Sequence, residues 1–203
     1  EGEWRALCEW LTEQGFCFRI LSRSARFEAA IQVYRKPPPG RRAAEDLAHA
    51  ASLWAHGAPD AALALLEETV AAKPGWLTGL HRLAQWRTKT RDSEAALAVI
   101  HRARATAGDR TSSGVVIDLD RLSAENRYRL GDLEQAAADI ARFRRQRPDH
   151  VSGLTLNALI TARLGRHEES AALWSRASQI AGSAAYEENA RDQKILSQIR
   201  PEF

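Results

Sequence analysis

The sequence predicts an all-α fold, a right-handed α-solenoid of four helix pairs followed by a capping helix. The main observation is a set of four similar loops, each with a small residue five positions after a Gly or, in one loop, an Arg. The small residues are Ala62, Ala96, Ala136 and Ser170. They lie 34, 40 and 34 residues apart, so the period is 34 residues with one insertion of six. A fixed period of this length indicates stacked helix pairs.

Helix-breaking residues close each repeat and support the same fold. They are Pro74, Gly108, Pro148 and Gly182. Between the breaks, apolar residues recur three and four positions apart, which is typical of amphipathic helices. The pattern predicts helix pairs over residues 43–56 and 60–72, 77–89 and 93–106, 115–130 and 133–146, and 151–164 and 167–180, with a capping helix over 184–199.

The order of small and large residues along the helices carries a family resemblance. Small residues recur in the first helices at Ala50, Ala84, Ala124 and Ala158. In the second helices, large residues follow the small ones by four positions, at Leu66, Ile100, Ile140 and Trp174. On these residues the chain resembles the tetratricopeptide repeat (TPR) family over about 43–199. The resemblance implies a solenoid with a concave face, built from the first helices, that is open to a partner.

The N-terminal segment has two interpretations. In one, residues 3–14 and the stretch after them form a degenerate repeat. In the other, a helix precedes a β-hairpin over residues 16–35, because apolar residues alternate there and aromatic or β-branched residues dominate. A helix followed by such a hairpin resembles the C-terminal end of class I SAM-dependent methyltransferases. The segment contains none of the cofactor-binding or catalytic motifs of that family.

The predicted organisation has four parts. They are a helix with a hairpin or a degenerate repeat over 1–36, a proline-rich linker over 37–42, four repeats over 43–182, and a capping helix with a tail over 183–203. The linker contains three consecutive prolines, which favour a stiff, extended spacer. Strands taken from a larger sheet would have an exposed edge, so we expect self-association through residues 16–35.

Composition restricts the possible functions. The chain has 29 basic and 26 acidic residues, a net charge of +3, so a nucleic-acid partner is not expected. No apolar run approaches the roughly 18 residues of a membrane span, and no membrane partner is expected. The two Cys and six scattered His lack the spacing of a metal site. We therefore expect no metal and no cofactor, and we expect His49 and His56 to lie on a helix surface.

Other features concern the origin of the chain. The sequence has no Met and begins with Glu1, so we expect a processed chain or an excised piece. Abundant Ala, Arg and Leu are typical of a bacterial protein. Two free thiols suit a cytoplasmic location. No catalytic motif is present, and an enzyme built from these residues alone is not expected.

Candidate binding residues lie on the first helices, at positions that helix packing does not need. By repeat phase this face presents Trp54 and seven residues predicted to bind a partner, namely His81, Gln85, Lys89, Arg121, Glu125, Tyr128 and Arg163. The predicted function is a non-catalytic protein–protein interaction scaffold that binds a peptide or partner helix in its concave groove. The alternative is a regulatory or substrate-docking C-terminal region of a larger enzyme, such as a SAM-dependent methyltransferase.

Two further patterns qualify this prediction. Chaperone-binding TPR relatives hold a C-terminal carboxylate with a Lys and Asn clamp, whose places here read Leu47, Ala51, Arg82, Asp118 and Leu122. Chaperone-tail binding is therefore not expected. The densest basic cluster comprises Arg142, Arg144, Arg145 and Arg147. It fits either an anion or acidic-peptide site, or cations gathered at a helix C-terminus, where the macrodipole favours them.

Overall fold

The part of the chain that the structure describes contains ten helices and one β-hairpin. The structure is a computed structural model, and it describes residues 2–14, 16–23, 29–35, 43–108 and 113–198. In chain order the elements are α1 (Gly2–Glu13), β1 (Phe16–Arg23), β2 (Ala29–Arg35), α2 (Ala43–Ala55), α3 (Pro59–Ala72), α4 (Leu77–Lys89), α5 (Ser93–Ala107), α6 (Gly114–Leu130), α7 (Leu133–Gln146), α8 (Val151–Arg163), α9 (His167–Ala181) and α10 (Ala184–Gln198).

The helix pairs and the capping helix begin and end within one residue of the predicted positions, so these predictions are confirmed. One first helix is longer than the others, since α6 has 17 residues whereas α2, α4 and α8 have 13 each. Part of the six-residue insertion therefore forms an extra turn at the start of α6. Ser113 caps this turn, because its Oγ accepts a hydrogen bond from the Val116 amide at 3.3 Å.

The chain forms two units, Glu1–Trp86 and Arg87–Phe203. In the first, β1 and β2 pair antiparallel, with Phe16 opposite Arg35 and Ile20 opposite Ile31. The strand β1 contacts α1 and α2, and α2 packs on α3. Of the two interpretations of the N-terminal segment, the structure has the helix with a hairpin. The predicted linker over 37–42 lies outside the described residues.

The second unit is a series of helices in which each packs on the next in the chain, from α5 to α10. The small residues predicted at the crossings are buried, and Ala124, Ala136 and Ala158 have no exposed surface. Ile140 and Phe143 pack with the first two of these residues. Because a small side chain lets two backbones approach closely, these positions determine how tightly each pair is packed.

The four loops inside the helix pairs share one backbone geometry. One or two residues after the end of each first helix, one residue has a positive φ: Gly57 (81°), Arg91 (62°), Gly131 (85°) or Gly165 (75°). The next amide donates to the carbonyl five residues earlier, as Asp132 does to Arg127 at 3.0 Å. This is the Schellman ending of a helix, in which Gly is the residue least strained at the left-handed position. Gly131 and Gly165 thus have the conformation that glycine adopts without strain.

This geometry predicts opposite effects for two substitutions. Gly131→Val should lower the free energy of unfolding by about 1–2 kcal/mol, because an L side chain is strained at φ 85° although nothing lies within 4 Å of its Cβ. Arg91→Gly should raise it by up to about 1 kcal/mol, because it relieves the same strain. Urea melts of both variants measure the shifts. Equal melting midpoints for the two variants would contradict the assignment.

The two histidines that were expected on a helix surface, His49 and His56, are buried and partly buried. His49 was expected on the surface, but it is 3% exposed within α2, so that prediction is wrong. The ring of His56 is partly buried, with Nδ1 at 2.6 Å from the Ser52 carbonyl oxygen. No helix in the described part of the chain is long and apolar enough to cross a membrane.

Candidate functional site

Two of the predicted binding residues contact each other across neighbouring first helices of the second unit. The Arg163 guanidinium, at the end of α8, lies 5.0 Å from the centre of the Tyr128 ring on α6. Its Nη1 also donates to the Tyr128 carbonyl oxygen at 3.0 Å. The first contact is a cation–π interaction, and the second adds a donor to a carbonyl that also accepts a hydrogen bond from the Gly131 amide. Both side chains remain accessible to solvent.

The other two predicted residues on α6 belong to a ladder of alternating charge. Arg121 contacts Asp118 at 2.8 Å and Glu125 at 3.3 Å. Glu125 also accepts a hydrogen bond from Arg129 at 2.5 Å. The spacing of three and four residues places all four side chains on one face of the helix. These pairs are partly exposed and contribute little stability each, but they hold the side chains in defined positions.

Arg129 and Asn126 connect this face to the end of α4. Arg129 Nη1 donates to the Thr88 carbonyl oxygen at 2.6 Å. Asn126, which has no exposed surface, donates from Nδ2 to Thr88 Oγ1 at 2.7 Å. Lys89, the last predicted residue of this unit, is exposed at the end of α4. Sequence reasoning missed Arg129, although its spacing from Glu125 was visible.

The remaining predicted residues lie in the first unit. His81 Nε2 and Gln85 Nε2 are 3.2 Å apart on α4, and both side chains are partly buried. The rings of Trp54 and Trp86 stack at 4.8 Å between centroids, with 8° between their planes. Trp86 is 3% exposed and belongs to the core, whereas Trp54 is partly exposed.

An apolar residue accompanies the polar ones on α8. Leu159 is 40% exposed and lies one turn before Arg163, so both side chains lie on the same side of the helix. We define the α6–α8 surface as Arg121, Glu125, Tyr128, Leu159 and Arg163. It combines an aromatic ring, an exposed aliphatic side chain and charges of both signs.

The predicted basic cluster on α7 is divided between two environments. Arg142 donates to Asp139 on its own helix and to Asp120 on α6 at 3.3 Å. It is therefore part of an internal ion-pair network rather than a free cation. Arg145 and Arg147 are exposed, as expected at a helix C-terminus.

No group of three or more His, Cys, Asp or Glu side chains in the described parts of the chain could hold a metal ion. The architecture is instead that of a helical repeat protein with solvent-facing first helices.

Solved TPR proteins share this architecture. The chain is similar to the MamA protein, with a TM-score of 0.65, 13% identity, and coverage of 78% of this chain and 85% of that one. It is also similar to YrrB, a TPR protein with an unusual peptide-binding site. The TM-score is 0.62 and the sequence identity is 15%, with coverage of 74% of each chain. A tetratricopeptide repeat protein from Parabacteroides merdae is similar with a TM-score of 0.62 and 15% sequence identity. The match covers 78% of this chain and 60% of that one.

These likenesses show that the chain has the TPR fold, and at such identities they show the fold alone. No protein-family model matches the sequence, and neither does any curated protein. The resemblance of the N-terminal segment to methyltransferases finds no support among these comparisons.

Proposed function

We propose that the protein is a non-catalytic interaction scaffold and that the α6–α8 surface binds a peptide or a partner helix. The observation that carries the proposal is the contact of Tyr128 with Arg163 on a solvent-facing part of two adjacent first helices. Tyr and Arg are the residues, with Trp, most often found as hot spots of protein interfaces. Lys89 in the same unit is a further proposed contact, and His81 and Gln85 are proposed to bind a partner within the first unit.

The chemistry of this surface supports an extended ligand of mixed character. The ion pairs of Arg121 with Asp118 and Glu125 hold long side chains in place before a partner arrives, which lowers the entropic cost of binding. Leu159 offers an apolar contact beside them. The peptide-binding site of YrrB, which has the same fold, supports a peptide as the ligand class.

A peptide library displayed on phage and selected on the immobilised protein would provide a ligand for the test. Tyr128→Ala should weaken binding of a selected peptide by about 2 kcal/mol, or roughly thirtyfold, because it removes a rigid aromatic contact. Arg121→Ala should weaken binding in the same direction. Isothermal titration calorimetry measures the affinities, and circular dichroism should be unchanged.

Arg176→Ala is the matched control, because Arg176 is an exposed arginine on α9 that pairs only with exposed Asp149 among the described residues. It should leave the affinity unchanged. If Arg176→Ala and Tyr128→Ala lowered the affinity for the peptide equally, the placement of the binding surface would be wrong.

A second candidate function is a docking or regulatory region of a larger enzyme, such as a methyltransferase. It is favoured by one observation, the order of α1, β1 and β2 before the repeats. Reading the coding sequence upstream of Glu1 tests it. A glycine-rich SAM-binding motif upstream would support the candidate, and an upstream sequence without one would exclude the methyltransferase.

Self-association through residues 16–35 is a further proposal. In the described residues the sheet has two strands, so each strand has one edge that no other strand covers. A chain that begins at residue 41 should contain fewer subunits per particle than the full chain does. Size-exclusion chromatography with light scattering measures the number of subunits from the molar mass. If the full chain and the shortened chain had the same association state, the hairpin would not be the interface.

A further inference from the structure

Equivalent positions at two successive junctions of helix pairs differ in charge. At the junction of α5, α6 and α7, Arg104 Nη2 donates to Asp120 Oδ1 at 2.6 Å. The same nitrogen lies 3.8 Å from Oδ1 of Asp139. Two carboxylates of the chain itself therefore compensate this guanidinium.

The next junction, of α7, α8 and α9, has the arginine without the carboxylates. Arg144 on α7 takes the repeat position of Arg104, and the positions of Asp120 and Asp139 are taken by Leu154 and Leu173. The Nε of Arg144 is buried and has no hydrogen-bond acceptor among the described residues. A buried N–H group without an acceptor is costly, so an acceptor from outside the chain would stabilise this site.

A cavity of about 380 Å³ lies at this second junction. Ala137 and Ala141 line it from α7, in the repeat positions that Leu97 and His101 occupy one repeat earlier. The smaller side chains leave space where the earlier junction has larger ones. Asn157 also lines the cavity and is only 8% exposed, and its side-chain amide makes no hydrogen bond with the described residues.

The lining of the cavity is strongly basic. Arg144, Arg145 and Arg166 contribute three guanidinium groups, whereas Glu169 contributes one carboxylate. Within the described ranges none of these arginines forms an ion pair. We propose that this pocket, formed by Arg144, Arg145, Asn157 and Arg166, binds a side-chain carboxylate of an acidic partner peptide.

The ligand chemistry follows from the earlier junction and from charge. There the protein places carboxylates against Arg104, and guanidinium groups bind carboxylates through paired hydrogen bonds. Glu169 in the lining would repel a doubly charged phosphate more than a singly charged carboxylate. The pocket lies on α7, α8 and α9 and shares no residue with the α6–α8 surface, so it is a second site beyond the proposed function.

The test uses the full chain and a short acetylated, amidated peptide that alternates Glu and Ser. A peptide with Gln in place of Glu is the matched control ligand, and inorganic phosphate is the third probe. Calorimetry at low salt should detect binding of the Glu peptide, and should show binding of the Gln peptide that is at least about tenfold weaker. Equal affinity for the Glu and Gln peptides, or binding of phosphate but not of the Glu peptide, overturns the proposal.

Two variants remove the site in different ways. Arg144→Gln removes the buried donor, and Ala137→Leu fills the cavity with the residue found one repeat earlier and keeps every charge. Each should weaken binding of the Glu peptide by about tenfold or more. Arg176→Gln, which removes one exposed charge on α9, should change the affinity by less than about twofold.

The Tyr128→Ala variant separates this site from the proposed function. It should bind the Glu peptide as tightly as the unmodified chain does. The assignment of the pocket would be wrong if Tyr128→Ala weakened binding of the Glu peptide and Arg144→Gln did not. It would also be wrong if Arg176→Gln and Arg144→Gln weakened this binding equally. Circular dichroism and melting curves establish that each variant is folded.

Discussion

Replacing Asp139 by Ala is expected to lower the free energy of unfolding by about 2–3 kcal/mol. Asp139 is 2% exposed and accepts hydrogen bonds from Ser123 and Arg142, with Arg127 Nε at 3.3 Å. Its loss would leave the buried Ser123 hydroxyl without its acceptor and would remove one of the two carboxylates that each of Arg127 and Arg142 contacts. The side chains of the two arginines are 17% and 42% exposed, so water replaces part of the loss and the effect stays below that of a fully buried ion pair.

Asp149→Ala is the control for this prediction, because Asp149 pairs with Arg176 on the surface, where the two side chains are 61% and 52% exposed. It should change the free energy of unfolding by less than about 0.5 kcal/mol. Urea denaturation followed by circular dichroism measures both variants. If both midpoints move by the same amount, the internal network does not stabilise the contact of α6 with α7.

Replacing Trp174 by Ala is expected to have the largest effect, about 3–5 kcal/mol. Trp174 is 7% exposed, packs with Leu154 and Ala190, and its ring lies 5.5 Å from the ring of Tyr186 on α10. The substitution would leave a cavity between α9 and α10, and α10 would lose its main apolar contact. In this variant, amide hydrogen exchange should therefore accelerate more in α10 than in α6 and α7.

Trp10→Ala provides the comparison, since Trp10 is 54% exposed on α1. Its removal should change stability by less than about 1 kcal/mol, because most of that ring is already in water. Unchanged exchange in α10 of the Trp174→Ala variant would show that another contact holds the capping helix.

Local sequence rules account for the agreement on helix boundaries. Inside each helix pair the first helix ends one or two residues before a residue with positive φ, and Gly57, Gly131 and Gly165 are that residue in three of the four loops. Arg91 adopts the same conformation at the fourth place, and only the repeat period identified it. The period is visible because each repeat has to pack against a similar neighbour.

The candidate surface could be predicted only in part. Repeat phase placed Tyr128 and Arg163 on the same face, because both lie on first helices at positions that packing leaves open. It could not show that Arg121 is already paired with Asp118 and Glu125, since an ion pair depends on side-chain orientation. It treated Arg142 and Arg144 as one cluster, although the first faces two carboxylates and the second faces a cavity.

The sequence by itself determined the class of fold, the number of repeats and the ends of the helices, because these depend on residue spacing and on backbone preferences near each position. Only the tertiary structure decided which charges are compensated. Asp120 and Asp139 come from different helices, 16 and 35 residues after Arg104 in the chain, and they reach it only when α5, α6 and α7 pack together. At the next junction Leu154 and Leu173 occupy the equivalent places, so the same packing gives Arg144 no counterpart of these two carboxylates.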